Sequence, residues 1–186
     1  MPSKPRQEKP AFHSGFVAIV GRPNVGKSTL LNAILGEKVA IVSARPQTTR
    51  GRITGVVTEG STQLVFLDTP GLHRARTKLG EVMVRAVHDA VAEVDAAVLV
   101  IEAKEQPAPA ELELLAELSE KKIPVVVAVN KVDTLARKDA LMPVLAAWAA
   151  RGEYASIVPV SAATGDGVPA LLGELRRLMP EGPQYF

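Results

Sequence analysis

Phe16-Val-Ala-Ile-Val20-Gly21-Arg22-Pro23-Asn24-Val25-Gly26-Lys27-Ser28 organises everything that follows it in this chain. Residues 16–20 form a short, uninterrupted apolar run, the pattern of a strand buried on both faces. The run ends in a loop with the spacing G-x-x-x-x-G-K-S, and the residues after it place Leu30, Leu31, Ile34 and Leu35 at the three- and four-residue recurrence of a helix. Strand, glycine loop and helix in that order are the setting in which this spacing holds phosphate. A plain glycine turn opening a helix would account for Gly21 and Gly26 but not for Lys27-Ser28 at the required offset.

The same alternation continues through the chain. Apolar runs at Ile53–Thr58, Gln63–Leu67, Ala96–Ile101, Pro124–Val129 and Ile157–Val160 predict five more strands. Helical periodicity predicts helices over Ser28–Leu35, Gly80–Val94, Ala110–Lys121, Ala136–Trp148 and Val168–Leu178. Strands alternating with helices imply a mainly parallel sheet covered on both faces. Only Glu59-Gly60-Ser61 separates the second and third strands, too short for a crossover, so one edge strand is expected to run antiparallel. The fold expected is therefore α/β, a six-stranded mostly parallel sheet of the P-loop NTPase kind.

With 186 residues, nearly half apolar, the chain has room for one such domain and no second. Residues 1–14, rich in Pro, Lys and Arg, are expected to be a flexible basic leader, 15–180 the domain, and 181–186 a linker or the truncated start of a C-terminal region. A net charge of +2 gives no overall field demanding nucleic acid or membrane, and no DNA partner is expected. Cysteine is absent, which excludes disulfides and thiol catalysis and makes the cytoplasm the expected location. The leader is compatible with peripheral contact at the inner face of the cell membrane. His13, His73 and His88 lack metal-ligand spacing, and the few aromatics, Phe66, Trp148 and Tyr154 among them, offer no stacking platform for single-stranded nucleic acid.

In the loop, the backbone N–H groups and the helix N-terminus are expected to point at phosphate oxygens, making Gly21, Arg22, Pro23, Asn24, Val25, Gly26, Lys27, Ser28 and Thr29 nucleotide-contacting residues. Lys27 would reach the β- and γ-phosphates and Ser28 would bind Mg²⁺. Asp68-Thr-Pro-Gly71 ends the third strand, placing Asp68 on the metal side, through water, and the Gly71 N–H on the γ-phosphate. After the fifth strand, Asn130-Lys131-Val132-Asp133 supplies a carboxylate able to accept both the N1–H and the exocyclic amine of guanine, a donor pair that adenine lacks. Ser161-Ala162, after the sixth strand, lies where a backbone N–H can meet the guanine carbonyl oxygen. These short motifs are individually weak; their order, each at a strand end, carries the reading.

With these residues in place the chain resembles the translation-factor-related bacterial GTPases, and most closely the GTPase domain of the Era family. Pro46-Gln-Thr-Thr-Arg50, Leu67-Asp-Thr-Pro-Gly-Leu-His73 and Pro180-Glu-Gly-Pro183 carry the resemblance, which spans about Phe16 to Pro180. It implies a Ras-like G domain that turns GTP into GDP and phosphate with Mg²⁺. It also implies a switch I over Gly36–Arg50, whose Mg²⁺- and γ-phosphate-binding threonine is Thr49 with Thr48 as the alternative, and a switch II from Thr69 to about Leu79. Leu72 stands where Ras-like enzymes carry a catalytic glutamine. Several relatives instead hold K⁺ with a P-loop asparagine, matched here by Asn24, so Lys27, Thr49, Gly71 and Asn24 form the expected catalytic set. A turn-forming asparagine after Pro23 is the alternative for Asn24.

Era proteins bind small-subunit rRNA through a C-terminal KH domain, which is not expected within this chain. The resemblance therefore implies rRNA and ribosomal proteins as partners and a role in small-subunit assembly. Arg45, Arg50, Arg52, Arg74, Arg76 and Lys78, in or beside the switches, are either a contact for such a partner or a solvated surface. Competing readings are an rRNA-binding scaffold without turnover, a P-loop ATPase, and a related GTPase of tRNA modification or large-subunit assembly.

Overall fold

In the computed structural model of the chain the described residues are 10–37, 52–68, 94–104 and 106–186. Outside them lie most of the leader, all of the expected Gly80–Val94 helix but its last residue, both switch segments beyond Glu37, and the six basic residues named above except Arg52.

Six strands form one sheet: β1 His13–Gly21, β2 Arg52–Glu59, β3 Thr62–Asp68, β4 Ala96–Glu102, β5 Val125–Asn130 and β6 Ser156–Pro159. Their order is β2-β3-β1-β4-β5-β6. β2 runs antiparallel to β3, as the short Gly60-Ser61 connection demands, and the remaining neighbours are parallel. Among the described residues the α-helices are α1 Lys27–Glu37, α2 Pro109–Glu120, α3 Leu141–Ala149 and α4 Val168–Leu178.

Alternation along the central strands divides the core. Val17 and Ile19 of β1, with Val98 and Val100 of β4, pack with Leu30 and Ile34 of α1 and Leu171 and Leu175 of α4. Ala18 and Val20, with Leu99 and Ile101, face the opposite way onto Leu114 and Leu118 of α2 and Trp148 of α3. Because both faces of β1, β4 and β5 are covered, their sequences read as continuous apolar runs. The expected α/β architecture is thus the one found.

Several boundaries differ from the sequence-based ones. β1 begins at His13, inside the stretch 1–14 expected to be leader, because the His13 N–H donates to the Ser61 carbonyl (2.8 Å) and Ser14 is tied to the far end of the chain. α1 continues through Gly36 and Glu37, two residues into the expected switch I. α3 starts at Leu141 and not at Ala136. Two single 3₁₀ turns, Val132–Thr134 and Lys138–Ala140, precede it. Pro143 explains the late start: it has no N–H to donate one turn back, so it fits the first turn of a helix and not the interior of one begun at Ala136.

The closing segment is docked on the sheet. The Ser14 N–H donates to the Pro180 carbonyl (3.0 Å), the Gly182 N–H to that of Phe12 (2.9 Å), and the Ser14 hydroxyl to that of Pro183 (2.5 Å). Tyr185 packs on Phe16 with ring centroids 5.1 Å apart. Fully buried Gln63 accepts from the Tyr185 and Phe186 N–H groups (2.9 and 3.3 Å) and donates to the Phe186 carbonyl (3.2 Å).

Candidate nucleotide-binding site

Strand order fixes where the motifs meet. β1, β4, β5 and β6 are parallel neighbours, so the segments leaving their C-terminal ends gather along one edge of the sheet. The P-loop leaves β1, Glu102 ends β4, Asn130-Lys131-Val132-Asp133 leaves β5 and Ser161-Ala162 follows β6. A cavity of about 480 Å³ opens there, lined by Pro23, Asn24, Gly26, Lys27, Ser28, Thr29 and Lys131. That volume suits a small-molecule ligand.

The P-loop is shaped by side chains that grip its carbonyls. Lys27 Nζ donates to the Gly21 and Arg22 carbonyls (2.9 and 2.7 Å), Lys131 Nζ to that of Asn24 (2.8 Å), and Asn130 Nδ2 to that of Val25 (2.8 Å). The Gly26 carbonyl accepts from the Leu30 N–H (2.8 Å) as α1 begins. Among the described residues, the N–H groups of Asn24, Val25, Gly26, Lys27 and Ser28 donate to nothing. The carbonyls of Gly21, Arg22, Asn24, Val25 and Gly26 are thus spent on the protein while a run of N–H groups, continued by the orphan donors of the α1 N-terminus, is left by the described residues for an anion.

Gly26 is required where it stands: at φ +100° a Cβ would overlap the Asn130 amide nitrogen. Asn24 and Lys131 both adopt the left-handed region, each at φ 64°. Asn24 is exposed, lines the cavity, and its side chain bonds nothing among the described residues.

Lys27 is half-buried, and desolvation lowers its pKa from the ordinary 10.5 to about 8. Among the described residues two carbonyls and no carboxylate hold it, so an arriving polyphosphate would bring full negative charge to a cation that those residues leave uncompensated.

On the side expected to take the base, buried Asn130 joins two loops, its Oδ1 accepting from the Ala162 N–H (2.9 Å) while its Nδ2 holds the P-loop. Asp133 is exposed, and its Oδ1 accepts from the Ser161 hydroxyl (2.8 Å), which fixes the carboxylate's direction and leaves Oδ2 for a ligand. The Ser161 N–H donates to the Asp166 carbonyl (2.8 Å). Both N–H groups expected near the guanine carbonyl are therefore already used within the protein, and a base would have to share that of Ala162 with Asn130.

Of the expected metal ligands, Ser28 lies at the start of α1 on the cavity wall and Asp68 ends β3, while Thr49 lies outside the described residues, as do Thr48, Gly71 and Leu72. Among the described residues no cluster of three or more His, Asp or Glu could hold a metal ion. A serine hydroxyl and one carboxylate are a hard-oxygen set that suits Mg²⁺ bound chiefly through substrate phosphates.

Two carboxylates missed in the sequence support the site from behind. Glu102 ends the apolar run of β4, and its Oε1 accepts from Lys131 Nζ (2.8 Å). The bond from Lys131 holds the Glu102 carboxyl below its usual range. Glu111, at the third position of α2 after Pro109, is buried; its Oε2 accepts from the Ala108 N–H (2.8 Å) and its Oε1 from Arg22 Nε (3.1 Å). The signals were present: a carboxylate closing a run of buried apolar residues, and Pro-x-Glu opening a helix.

Comparison with known proteins agrees with this geometry. The profile of the 50S ribosome-binding GTPase family matches residues 16–131. The GTPase Era of Geotalea daltonii is 48% identical over 175 residues, covering 94% of this chain and 59% of its own length. That of Geobacter metallireducens is 49% identical over the same length, covering 94% and 58%. A crystal structure of Era in complex with MgGDPNP and nucleotides 1506–1542 of 16S ribosomal RNA superposes with a TM-score of 0.76 at 36% identity, covering 94% of this chain and 60% of the other. The chain thus spans somewhat under two thirds of the length of the curated relatives it matches. A Gly-x-x-x-x-Gly-Lys-Ser loop at the end of β1, an Asn-Lys-x-Asp segment after β5 and the match across residues 16–131 place this chain in the 50S ribosome-binding GTPase family, with the GTPase Era proteins among its relatives.

Proposed function

We propose that this chain binds GTP with Mg²⁺, hydrolyses it to GDP and phosphate, and serves as a nucleotide-dependent switch. The observation that carries the reading is the Asn130 side chain, which bonds the P-loop with one end and the Ser161-Ala162 loop with the other. It sets a phosphate cradle and a guanine-selective carboxylate, Asp133, at the two ends of one site.

In this reading the free N–H groups of the P-loop and Lys27 take the phosphates, and Asp133 takes the guanine edge. Ser28, Thr49 (or Thr48) and, through water, Asp68 would hold Mg²⁺, which would supply positive charge to the phosphates. Thr49, or Thr48, and the Gly71 N–H read the γ-phosphate, so that hydrolysis releases both switches. Leu72 has no group to orient water, which predicts slow turnover by the chain alone. Asn24 supplies a K⁺ ligand: its amide is exposed on the cavity wall with no bond to the described residues.

The cellular role that the relatives favour is small-subunit assembly, because Era has been seen bound to 16S rRNA with a GTP analogue. The family's own description, 50S ribosome-binding, favours the large subunit as a second reading; the near 48% identity to Era proteins weighs toward the first. The chain is placed in the cytoplasm, with the basic leader available for peripheral membrane contact. Among the described residues no helix is long and apolar enough to cross a membrane.

The test is Mg²⁺-dependent phosphate release from GTP in K⁺ and in Na⁺, with excess ATP as competitor and Asn24→Ala beside the native chain. Release that ignores ATP, rises in K⁺ and loses that rise in the variant supports both the reaction and the role of Asn24. Equal rates in the two salts remove the K⁺ site, inhibition by ATP removes the guanine selectivity, and binding without release removes the enzyme.

A further inference from the structure

We infer that Glu102 is a positioning residue for nucleotide retention, acting through Lys131 on the outer turn of the P-loop. The inference rests on the nucleotide reading above and adds a residue to it.

The bonding pattern of the P-loop separates an inner part from an outer one. Gly21, Arg22, Val25 and Gly26 are held by Lys27, Asn130 and Leu30, all buried or half-buried. The outer turn, Pro23-Asn24, is exposed, and its one bonded carbonyl, that of Asn24, accepts from Lys131 alone among the described residues. Among the described residues Lys131 is itself tethered by a single carboxylate, Glu102, at 2.8 Å.

Backbone strain marks two of these three residues. Asn24 and Lys131 both sit at φ 64°, a region that asparagine tolerates and lysine seldom visits. Such conformations persist where the surroundings over-determine them, and they gather at ligand clamps. The Lys131 ammonium joins the two strained residues, and Glu102 pins that ammonium from the end of β4, the rigid centre of the sheet.

Glu102 does not line the cavity, whereas Asn24 and Lys131 do. Its effect on a ligand therefore passes through them. Without it, Lys131 keeps one neutral partner, its long side chain regains rotamer freedom, and the outer turn loses its hold while the inner cradle stays bonded. Ligand release should then speed up. Lys104 also pairs with the Glu102 carboxylate, at 3.2 Å, but it is largely exposed and donates to no P-loop carbonyl among the described residues, so it does not take over the tether.

The experiment measures release of fluorescent GDP from the full chain by stopped flow, chased with excess GDP, for the native protein, Glu102→Ala, Glu102→Gln, Lys131→Ala and the Glu102→Ala/Lys131→Ala pair. Glu102→Ala is expected to release GDP roughly fivefold faster, in keeping with a partly exposed charge pair, and Glu102→Gln, which keeps an acceptor, by less. In the Lys131→Ala background the Glu102 change is expected to add nothing. An unaltered rate in Glu102→Ala, or an effect that persists at full size without Lys131, overturns the inference. Glu102→Gln keeps the test open if the alanine variant folds poorly. Retention of GDP by the native chain with an unmoved Glu102→Ala rate sinks this inference alone, whereas a native chain that holds no GDP sinks the proposed function as well.

Discussion

Arg22 Nε donates to the Glu111 carboxylate across 3.1 Å, joining the second residue of the P-loop to the first turn of α2. Glu111 is 5% exposed at its side chain and Arg22 30%, so the two partners stand in unlike surroundings. Removing the arginine leaves a buried carboxylate with one remaining donor among the described residues, the Ala108 N–H. Removing the charge from the glutamate leaves an arginine that can turn to water. Arg22→Met should therefore cost about 2 kcal/mol of unfolding free energy and Glu111→Gln about 1, with the double variant losing less than the sum. Urea unfolding of the nucleotide-free chain reads all three, and additive losses would mean the pair is not coupled.

Asn130→Ala removes two buried bonds at once, stranding the Val25 carbonyl and the Ala162 N–H. A loss of about 3 kcal/mol is expected, large for one polar residue because neither orphan can reach water readily. Guanine-nucleotide affinity should fall by roughly a hundredfold, since the phosphate and base sides lose their common anchor. Calorimetric titration with GDP alongside urea unfolding separates the two effects. Native affinity in the variant would remove Asn130 from the centre of the site.

Local patterns made the fold and half of the site legible. The P-loop, the Asn-Lys-x-Asp run and the alternation of strand and helix are written within a few neighbouring residues, and each appears where the pattern put it. What stayed hidden acts across the chain: Glu102 and Lys131 are 29 residues apart, Arg22 and Glu111 are 89, and the local signals that mark the two carboxylates, a strand end and a helix start, do not name those partners. The late start of α3 was hidden differently, because periodicity over 136–148 is blind to the missing N–H of Pro143. The tail over Pro180–Phe186 read as a linker because Pro and Gly dominate it; its docking depends on Gln63, a polar residue whose burial no local pattern announces.

Gln63→Leu tests that docking. The glutamine is fully buried and also donates to the Thr58 hydroxyl (2.8 Å), so the change removes the tail's main polar anchor and one cross-strand bond of the β2–β3 hairpin. Amide exchange at Tyr185 and Phe186 should accelerate by about tenfold or more, while β4 and β5 keep their protection. Unchanged exchange at those two amides would assign the docking to the Ser14 bonds and the Phe16–Tyr185 contact instead.

Lys27 carries a prediction about pH. Burial lowers its pKa in the folded, nucleotide-free chain to about 8, from an ordinary value of 10.5 in the unfolded one. Between those two values the unfolded chain binds a proton that the folded chain does not, so the stability of the free protein should rise with pH across that window. Nucleotide binding reverses the balance: phosphate oxygens beside the amine favour its charged form, so a free chain that has lost the proton must take one up on binding. Affinity for GDP should therefore be flat below about pH 7 and weaken above about pH 8, with a slope approaching one decade per pH unit. Calorimetry at about pH 8.5 in two buffers of different ionisation enthalpy counts the protons directly, at a pH where guanine N1–H is still largely in place, and more than half a proton per GDP is expected. Zero uptake together with a flat affinity from about pH 7 to about pH 8.8 would mean that Lys27 stays charged in its carbonyl cage before any phosphate arrives.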